Sequence, residues 1–340
     1  MNQKLYRKVK RIQSKLKPRH GVAALAFVIV MCILFYHSGE GAELATLQIA
    51  ARKVPLSASA APEKAKGVIE PTLAQVLTDK ETSLDISDLS SGYVFVDYTG
   101  QKERAVLEIY YGQDTAPSRY SFEAEAGWEA YALPHGSGTY LVKLFAYDAA
   151  DRISTADDIS EFIIEAEFDE VEPYRYENAC VDYEADSPLV FGAAYLVEQA
   201  EAKSKKALSD KEKTELIVNF VSGNIKTDGE LMNELNSDPA YKYFPRADEV
   251  FDSGKGVCRE RAILAAAMLK SLRIPVKVYF GNVFMPQKTG DERYGYHAWI
   301  SAYLDGEWAM YDPSAKYDTK IIDGKSGDGT EYLLDTVTVH

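Results

Sequence analysis

Asp305-Gly306, set between two runs in which apolar and polar residues alternate, is the feature that most restricts how this 340-residue chain can fold. An Asp-Gly pair admits the positive backbone angles of a two-residue hairpin turn, and such a turn fixes the register of the strands on either side. His297 to Tyr303 forms the first strand and Glu307 to Tyr311 the second. Leu304 then opposes Glu307, Trp299 faces Asp312, and His297 lies two residues further along on that same face. His297 and Asp312 become diagonal neighbours, with Cα atoms roughly 7 to 8 Å apart, close enough for an imidazole and a carboxylate that lean together. A four-residue loop would keep this parity and a three-residue loop would break it.

Cys258 follows the turn-rich stretch Asp252-Ser253-Gly254-Lys255-Gly256 and precedes a run with apolar residues at 262, 265, 266, 269 and 272, which is a helical period. Ile263, Leu264 and Met268 fill the other side, so this helix is apolar nearly all round and belongs in a core. Its first turn lies at the positive end of the helix dipole, with Arg259 and Arg261 adding charge, a setting that favours a thiolate. Nucleophilic chemistry needs a thiolate to attack, an imidazole to take and return its proton, and a carboxylate to fix the imidazole tautomer. Cys258, His297 and Asp312 supply these three in chain order.

The segments GKGVCRERAILAAAMLKSLRIPVKVYFG and YHAWISAYLDGEWAMYDPS, with the loop between them, resemble the transglutaminase-like (transglutaminase core) superfamily, a papain-related group with a Cys, His, Asp triad in this order. The resemblance runs most closely from about Ala247 to Ser314 and extends back to Pro188. By position it implies Cys258 as nucleophile, His297 as general base and acid, Asp312 as the residue orienting the imidazole, and Trp299 as the aromatic that commonly follows the histidine. It implies acyl transfer through a thioester: hydrolysis of an amide or peptide if water resolves it, crosslinking if a lysine does. Arg273 departs from the family pattern, which usually ends the helix with Gly. Gly enters the left-handed conformation without steric cost, so Arg273 implies a different cap or mild strain. Backbone N–H groups at the start of the Cys258 helix would meet the oxyanion, with Tyr241 and Tyr243 as candidate side-chain donors.

Metal chemistry is disfavoured because His297 is the only histidine between His135 and His340, and no paired His or Cys ligand spacing occurs; no cofactor is expected. Cys32, Cys180 and Cys258 are the three cysteines. In an oxidising exterior a Cys180–Cys258 disulfide is the competitor to a reactive thiol, whereas a free Cys180 would be a small buried residue.

Residues 1–20 carry eight basic and no acidic side chains, while the remainder has 30 basic against 52 acidic. Gly21 to Tyr36 follows as an uncharged run, short for a spanning helix of about 20 residues yet long for a signal-peptide core. With no convincing cleavage site after it, the run reads as a signal anchor in preference to a cleaved secretion signal. The basic flank puts the N-terminus in the cytoplasm and the bulk of the chain outside. Nothing elsewhere argues for nucleic acid.

The chain thus divides into a basic cytoplasmic segment (1–20), a transmembrane signal anchor (21–37), a flexible stalk rich in Ala, Ser, Lys and Pro (38–88), a β-sandwich (89–168) and a transglutaminase-like catalytic domain (169–340). In the sandwich the strand runs are YVFVDY, AVLEIYY, RYSFEAE, WEAYALP, GTYLVKLFAYD and EFIIEAEF. Tyr140, Val142 and Leu144 share one face, and His135 sits in a surface turn. Helices are expected near Ser187-Pro188 and at Ser209, where Glu212 occupies the capping-box position. Asn282 to Tyr294 reads as a polar insertion, either a flap over the cleft or a plain loop. The expected fold class is α+β: a papain-like transglutaminase-core domain preceded by an all-β immunoglobulin-like sandwich and an N-terminal transmembrane helix. The expected substrate is a protein or peptide of the cell envelope. The rival reading is a catalytically inactive surface protein that binds through its cleft or its sandwich.

Overall fold

The computed structural model describes residues 42–51, 63–113, 117–123, 127–148, 156, 158–237, 244–286, 292–315, 319–327, 329–334 and 338–340. The basic segment and the apolar run lie outside these residues. Among the described residues no helix is long and apolar enough to cross a membrane.

The molecule is mixed α and β. Its N-terminal part is β-rich, with two four-stranded antiparallel sheets. The first runs in the order β1 (Val76–Asp79), β2 (Thr82–Asp85), β3 (Tyr93–Tyr98), β6 (Glu129–Ala132), and the second in the order β5 (Ser118–Glu123), β4 (Arg104–Tyr111), β7 (Gly138–Tyr147), β8 (Asp158–Ala166). Along β7 the residues Tyr140, Val142, Leu144 and Ala146 are buried while those between them are partly exposed, as the period of two requires. They pack into one core with Leu84, Val94 and Val96 of the first sheet and Leu107 and Ile109 of the second. The outer face of β3 is covered as well: Tyr93 and Phe95 pack edge to face at 5.5 Å, and Tyr176 meets Tyr93 at 5.6 Å.

The C-terminal part is built around one buried helix. Helices α2 (Pro188–Ser204), α3 (Asp210–Asn224), α4 (Gly229–Ser237) and α5 (Ala247–Ser253) precede α6 (Cys258–Ser271). Ser187 occupies the N-cap position of α2, in front of Pro188, without a side-chain capping bond. In α3 the Glu212 N–H donates to Ser209 Oγ at 3.3 Å, and the Ser209 N–H donates to Glu212 Oε2 at 3.0 Å, completing the capping box. Every residue of α6 from Ala262 to Lys270 is buried, with α2, α3 and α5 packed against the helix alongside β11 (Val276–Pro286) and β12 (Glu292–Leu304). These two strands belong to an antiparallel sheet ordered β14 (Lys320–Ile321), β13 (Glu307–Tyr311), β12, β11, β15 (Glu331–Tyr332), with β16 (Thr338–Val339) also pairing β11.

Two expectations change. Residues 38–88 are not a featureless stalk. Ala42–Ala51 forms a helix, α1, whose Leu44 and Leu47 are buried, and the Leu44 N–H donates to Asn224 Oδ1 at 3.2 Å. Leu47 packs on Gly192, where an added Cβ would stand 3.2 Å from it. Further along, β1 and β2 form a hairpin of the first sheet, with Leu84 fully buried. The insertion at Asn282 to Tyr294 is mostly a longer hairpin, since β11 and β12 pair from Val276↔Ala302 to Pro286↔Glu292.

The linker that follows the β-rich part is joined to the C-terminal end of α6 at a junction. Arg273 takes the left-handed conformation (φ 65°) that Gly would occupy without cost, and the Ile274 N–H closes onto the Leu269 carbonyl at 3.1 Å. The cap geometry is therefore the glycine one, and tertiary contacts support it. The Arg273 guanidinium lies 4.5 Å from the Tyr176 ring centroid and donates to the Arg175 carbonyl at 3.2 Å, while Arg175 donates to the Arg273 carbonyl at 2.9 Å. Fully buried Lys270 donates to the Tyr176 carbonyl at 2.7 Å, and burial pulls its pKa down to about 8. Arg273→Ala keeps the backbone strain and loses the junction, whereas Arg273→Gly loses only the junction. Arg273→Gly is expected to be the more stable variant by about 1 kcal/mol, with both below wild type, read from urea midpoints at unchanged slope.

Candidate active site

Cys258 is delivered by a short strand pair. β9 (Lys226–Thr227) and β10 (Lys255–Gly256) pair in parallel, and α6 begins at Cys258, two residues after β10 ends at Gly256. Gly254 turns the chain out of α5 at φ 64°. Gly256 is demanded by close packing: an added Cβ would lie 2.3 Å from Glu260 Cβ. Glu260 is buried, accepts the Val257 N–H at 3.0 Å and pairs with Arg259 at 2.6 Å. Arg261 donates to the Ile225 carbonyl at 2.7 Å, which ties the first turn of α6 to the approach to β9. The first helical bond of this turn runs from the Arg261 N–H to the Val257 carbonyl. The N–H groups of Cys258 and Arg259 precede it and point out of the helix start.

The hairpin forms in the expected register. Asp305 (φ 55°) and Gly306 (φ 93°) both take left-handed angles, and the pairs run from Leu304↔Glu307 to Ile300↔Tyr311. Asp312 is the next residue after β13, and His297 Nε2 meets Asp312 Oδ2 at 2.9 Å. Pairing with β13 stops at Ile300, so β12 has no β13 partner at His297. The Cys258 thiol is the other group that acts on the imidazole, favouring its charged form. With Nε2 engaged by Asp312, Nδ1 is the ring nitrogen left for the thiol. His297 therefore stands between Asp312, through a hydrogen bond, and Cys258, through a charge interaction.

Electrostatics follow from that arrangement. Burial works against a charged His297 ring, but the Asp312 hydrogen bond and the interactions with the Asp312 and Cys258 charges outweigh it and raise its pKa to about 10. Burial likewise works against an ionised Asp312, yet the His297, Tyr332 and Ser314 donors hold it below its ordinary value. Trp299, fully buried, stacks on Tyr279 at 5.8 Å and lies 6.4 Å from the His297 ring, so it is a packing plate beside the imidazole.

Both Cys180 and Cys258 are free thiols, Cys180 buried and Cys258 partly exposed. Tyr241 and Tyr243 lie outside the described residues. His135 is exposed beside Tyr111 and far along the chain from the site. Among the described residues no three or more His, Cys, Asp or Glu side chains are grouped as a metal ion would need. Sequence reasoning missed Tyr332, whose hydroxyl donates to Asp312 Oδ2 at 2.7 Å. It stands on a two-residue strand with no periodicity around it, so no local signal marked it.

Residues 197–313, about a third of the chain, match a family model described as the transglutaminase-like superfamily. Similar solved structures include a candidate cysteine protease from Cytophaga hutchinsonii, at 13% identity over 78% of this chain and 78% of that one, with a TM-score of 0.32. A TGase is similar at 22% identity over 38% of this chain and 32% of that one, with a TM-score of 0.27. Red sea bream transglutaminase is similar at 10% identity over 65% of this chain and 47% of that one, with a TM-score of 0.25. A comparison with curated proteins finds no match.

Gly256→Ala should destabilise the protein by about 1 to 3 kcal/mol, because the new Cβ must displace the Glu260 stem, and should slow Cys258 alkylation at the same time. The raised His297 pKa makes stability present below the unfolded value of about 6.5 and lost as pH rises through about 10. Wild type should therefore lose its stability advantage over His297→Phe between pH 7 and pH 10, measured by urea unfolding at both values.

Proposed function

We propose that the transglutaminase-like domain this chain carries over residues 197–313 belongs to a cysteine-dependent acyl-transfer enzyme acting on amide bonds of proteins or peptides. The observation that carries this reading is the His297–Asp312 hydrogen bond with Cys258 acting on the same imidazole from the partly exposed start of an otherwise buried helix.

In this reading the protonated His297 ring stands beside the sulfur and favours its thiolate form. The thiolate attacks the amide carbonyl carbon, and the carbonyl π electrons move to oxygen, which the Cys258 and Arg259 N–H groups receive. Collapse of the intermediate breaks the C–N bond as the imidazolium gives its proton to the departing amine, leaving a thioester and a neutral ring. Asp312 keeps Nε2 occupied, so that Nδ1 carries the proton traffic. The neutral ring then takes a proton from water, giving an acid, or from a primary amine, giving a new amide, and Cys258 is released.

The finer architecture belongs to the same proposal. Residues 89–168, with the hairpin of β1 and β2 added, form an immunoglobulin-like sandwich, and 169–340 a papain-like α+β catalytic domain. The apolar run 21–37 is a single-pass anchor with a cytoplasmic N-terminus, which puts the catalytic part outside and makes envelope proteins or peptides its substrates. Nucleic acid has no place in this reading.

An iodoacetamide probe applied to the full chain tests the proposal. Cys258 should label fast in wild type and about 100-fold or more slower in His297→Ala. Peptide amides should turn over, and adding a primary amine separates transfer from hydrolysis by the product formed. Slow labelling that is equal in both proteins, with no turnover, would sink the proposal and favour a binding module.

A further inference from the structure

Asp312 is more heavily engaged than an orienting carboxylate in a Cys, His, Asp order requires. Its Oδ2 accepts from His297 Nε2 at 2.9 Å and from the Tyr332 hydroxyl at 2.7 Å, while Oδ1 accepts the Ser314 N–H at 2.7 Å. The side chain is 7% exposed. The plane of a carboxylate turns freely about its last bond, so one donor leaves its orientation loose. Donors on both oxygens fix it, and each also supports the charged form in a site where burial opposes charge.

Tyr332 is well held for that task. It is buried on β15, in register with Val283 of β11, and its N–H donates to the Gly324 carbonyl at 2.8 Å. Its ring packs edge to face on Trp299 at 5.1 Å and stands 6.1 Å from the His297 ring. A phenol is a neutral donor, so it shares Oδ2 with the imidazole without supplying a rival positive charge. Tyr332 also lies beyond the residues that match the family model, which end at 313.

We propose that Tyr332 is a positioning residue of this active site, its hydroxyl locking the Asp312 carboxylate in the orientation that presents Oδ2 to His297, so that the segment after residue 313 completes the site. The inference rests on the acyl-transfer reading and concerns the same chemistry. Ring and hydroxyl do separate jobs: the ring fills space against Trp299, and the hydroxyl acts on Asp312. Tyr332→Phe removes only the second.

The experiment compares wild type, Tyr332→Phe and His297→Ala in the full chain, by peptide-amide turnover and by the pH dependence of Cys258 alkylation. Tyr332→Phe should lower kcat about 10-fold with KM within about 2-fold. It should also move the acid limb of the kcat/KM profile up toward neutral pH, because the carboxylate has lost a donor. A fluorinated tyrosine at 332, a stronger donor with the same ring, should move that limb down. Tyr332→Phe with wild-type kcat and a superimposable pH profile, in a protein whose alkylation still depends on His297, would overturn this inference and leave the acyl-transfer reading standing. Alkylation in wild type that is slow and equal to that of His297→Ala would overturn both. Should Tyr332→Phe not fold, the fluorinated residue decides, and an unmoved acid limb counts against the proposal.

Discussion

A carboxylate almost wholly removed from water is the constraint around which the site is built. Asp312 must be satisfied by donors or become neutral, and the protein surrounds it with an imidazole, a phenol and a backbone N–H. Each donor comes from a different stretch: His297 from β12, Tyr332 from β15, Ser314 from the turn after β13. Satisfying one buried charge therefore ties the central hairpin to the last part of the chain. The same bonds leave the second nitrogen of His297 for Cys258.

The other half of the site depends on α6 being immobile. Its burial on every side allows the helix almost no lateral freedom, and its two ends are held differently. At the N-terminal end, the β9–β10 pair, the Glu260 contacts and the Arg261 bond to Ile225 set the position of Cys258. At the C-terminal end, Lys270 and Arg273 bind the backbone of residues 175–176 from the linker that follows the β-rich part. The linker is thus bound directly to the end of the helix that carries the thiol. The strain of a left-handed arginine is offset by a guanidinium that contacts a ring and a carbonyl across the junction.

The features legible in the sequence were those with short-range physical causes. Ser209 and Glu212 announce a helix start because the two residues satisfy each other's backbone within one turn. β3 to β8 were readable from alternation between turn residues, and the hairpin at Asp305-Gly306 from the backbone angles that pair permits. β1 and β2 were not: VLTD and TSLD are short, with two of eight residues charged, and only packing of Leu84 against β3 makes them strands. Ala42–Ala51 escaped notice because its two buried leucines mean little until the surface formed by Gly192, Asn224 and Phe251 exists. The run after Gly281 resembled a loop because its apolar face is short, and Val283 and Met285 gain their partners Trp299, Ile321 and Tyr332 only from later segments.

The order and spacing of residues determined by themselves which side chains can act together locally: a cysteine at a helix start, and a histidine and an aspartate brought to one face by a two-residue turn. Those outcomes follow from period and register, which operate over a few residues. Tertiary structure alone decided that Tyr332 reaches Asp312, that Arg273 can replace a glycine, and that residues 42–51 and 76–85 have partners. Each of these rests on groups brought together only after distant segments close on one another, and no periodicity along the chain records which distant backbone will arrive at a given donor.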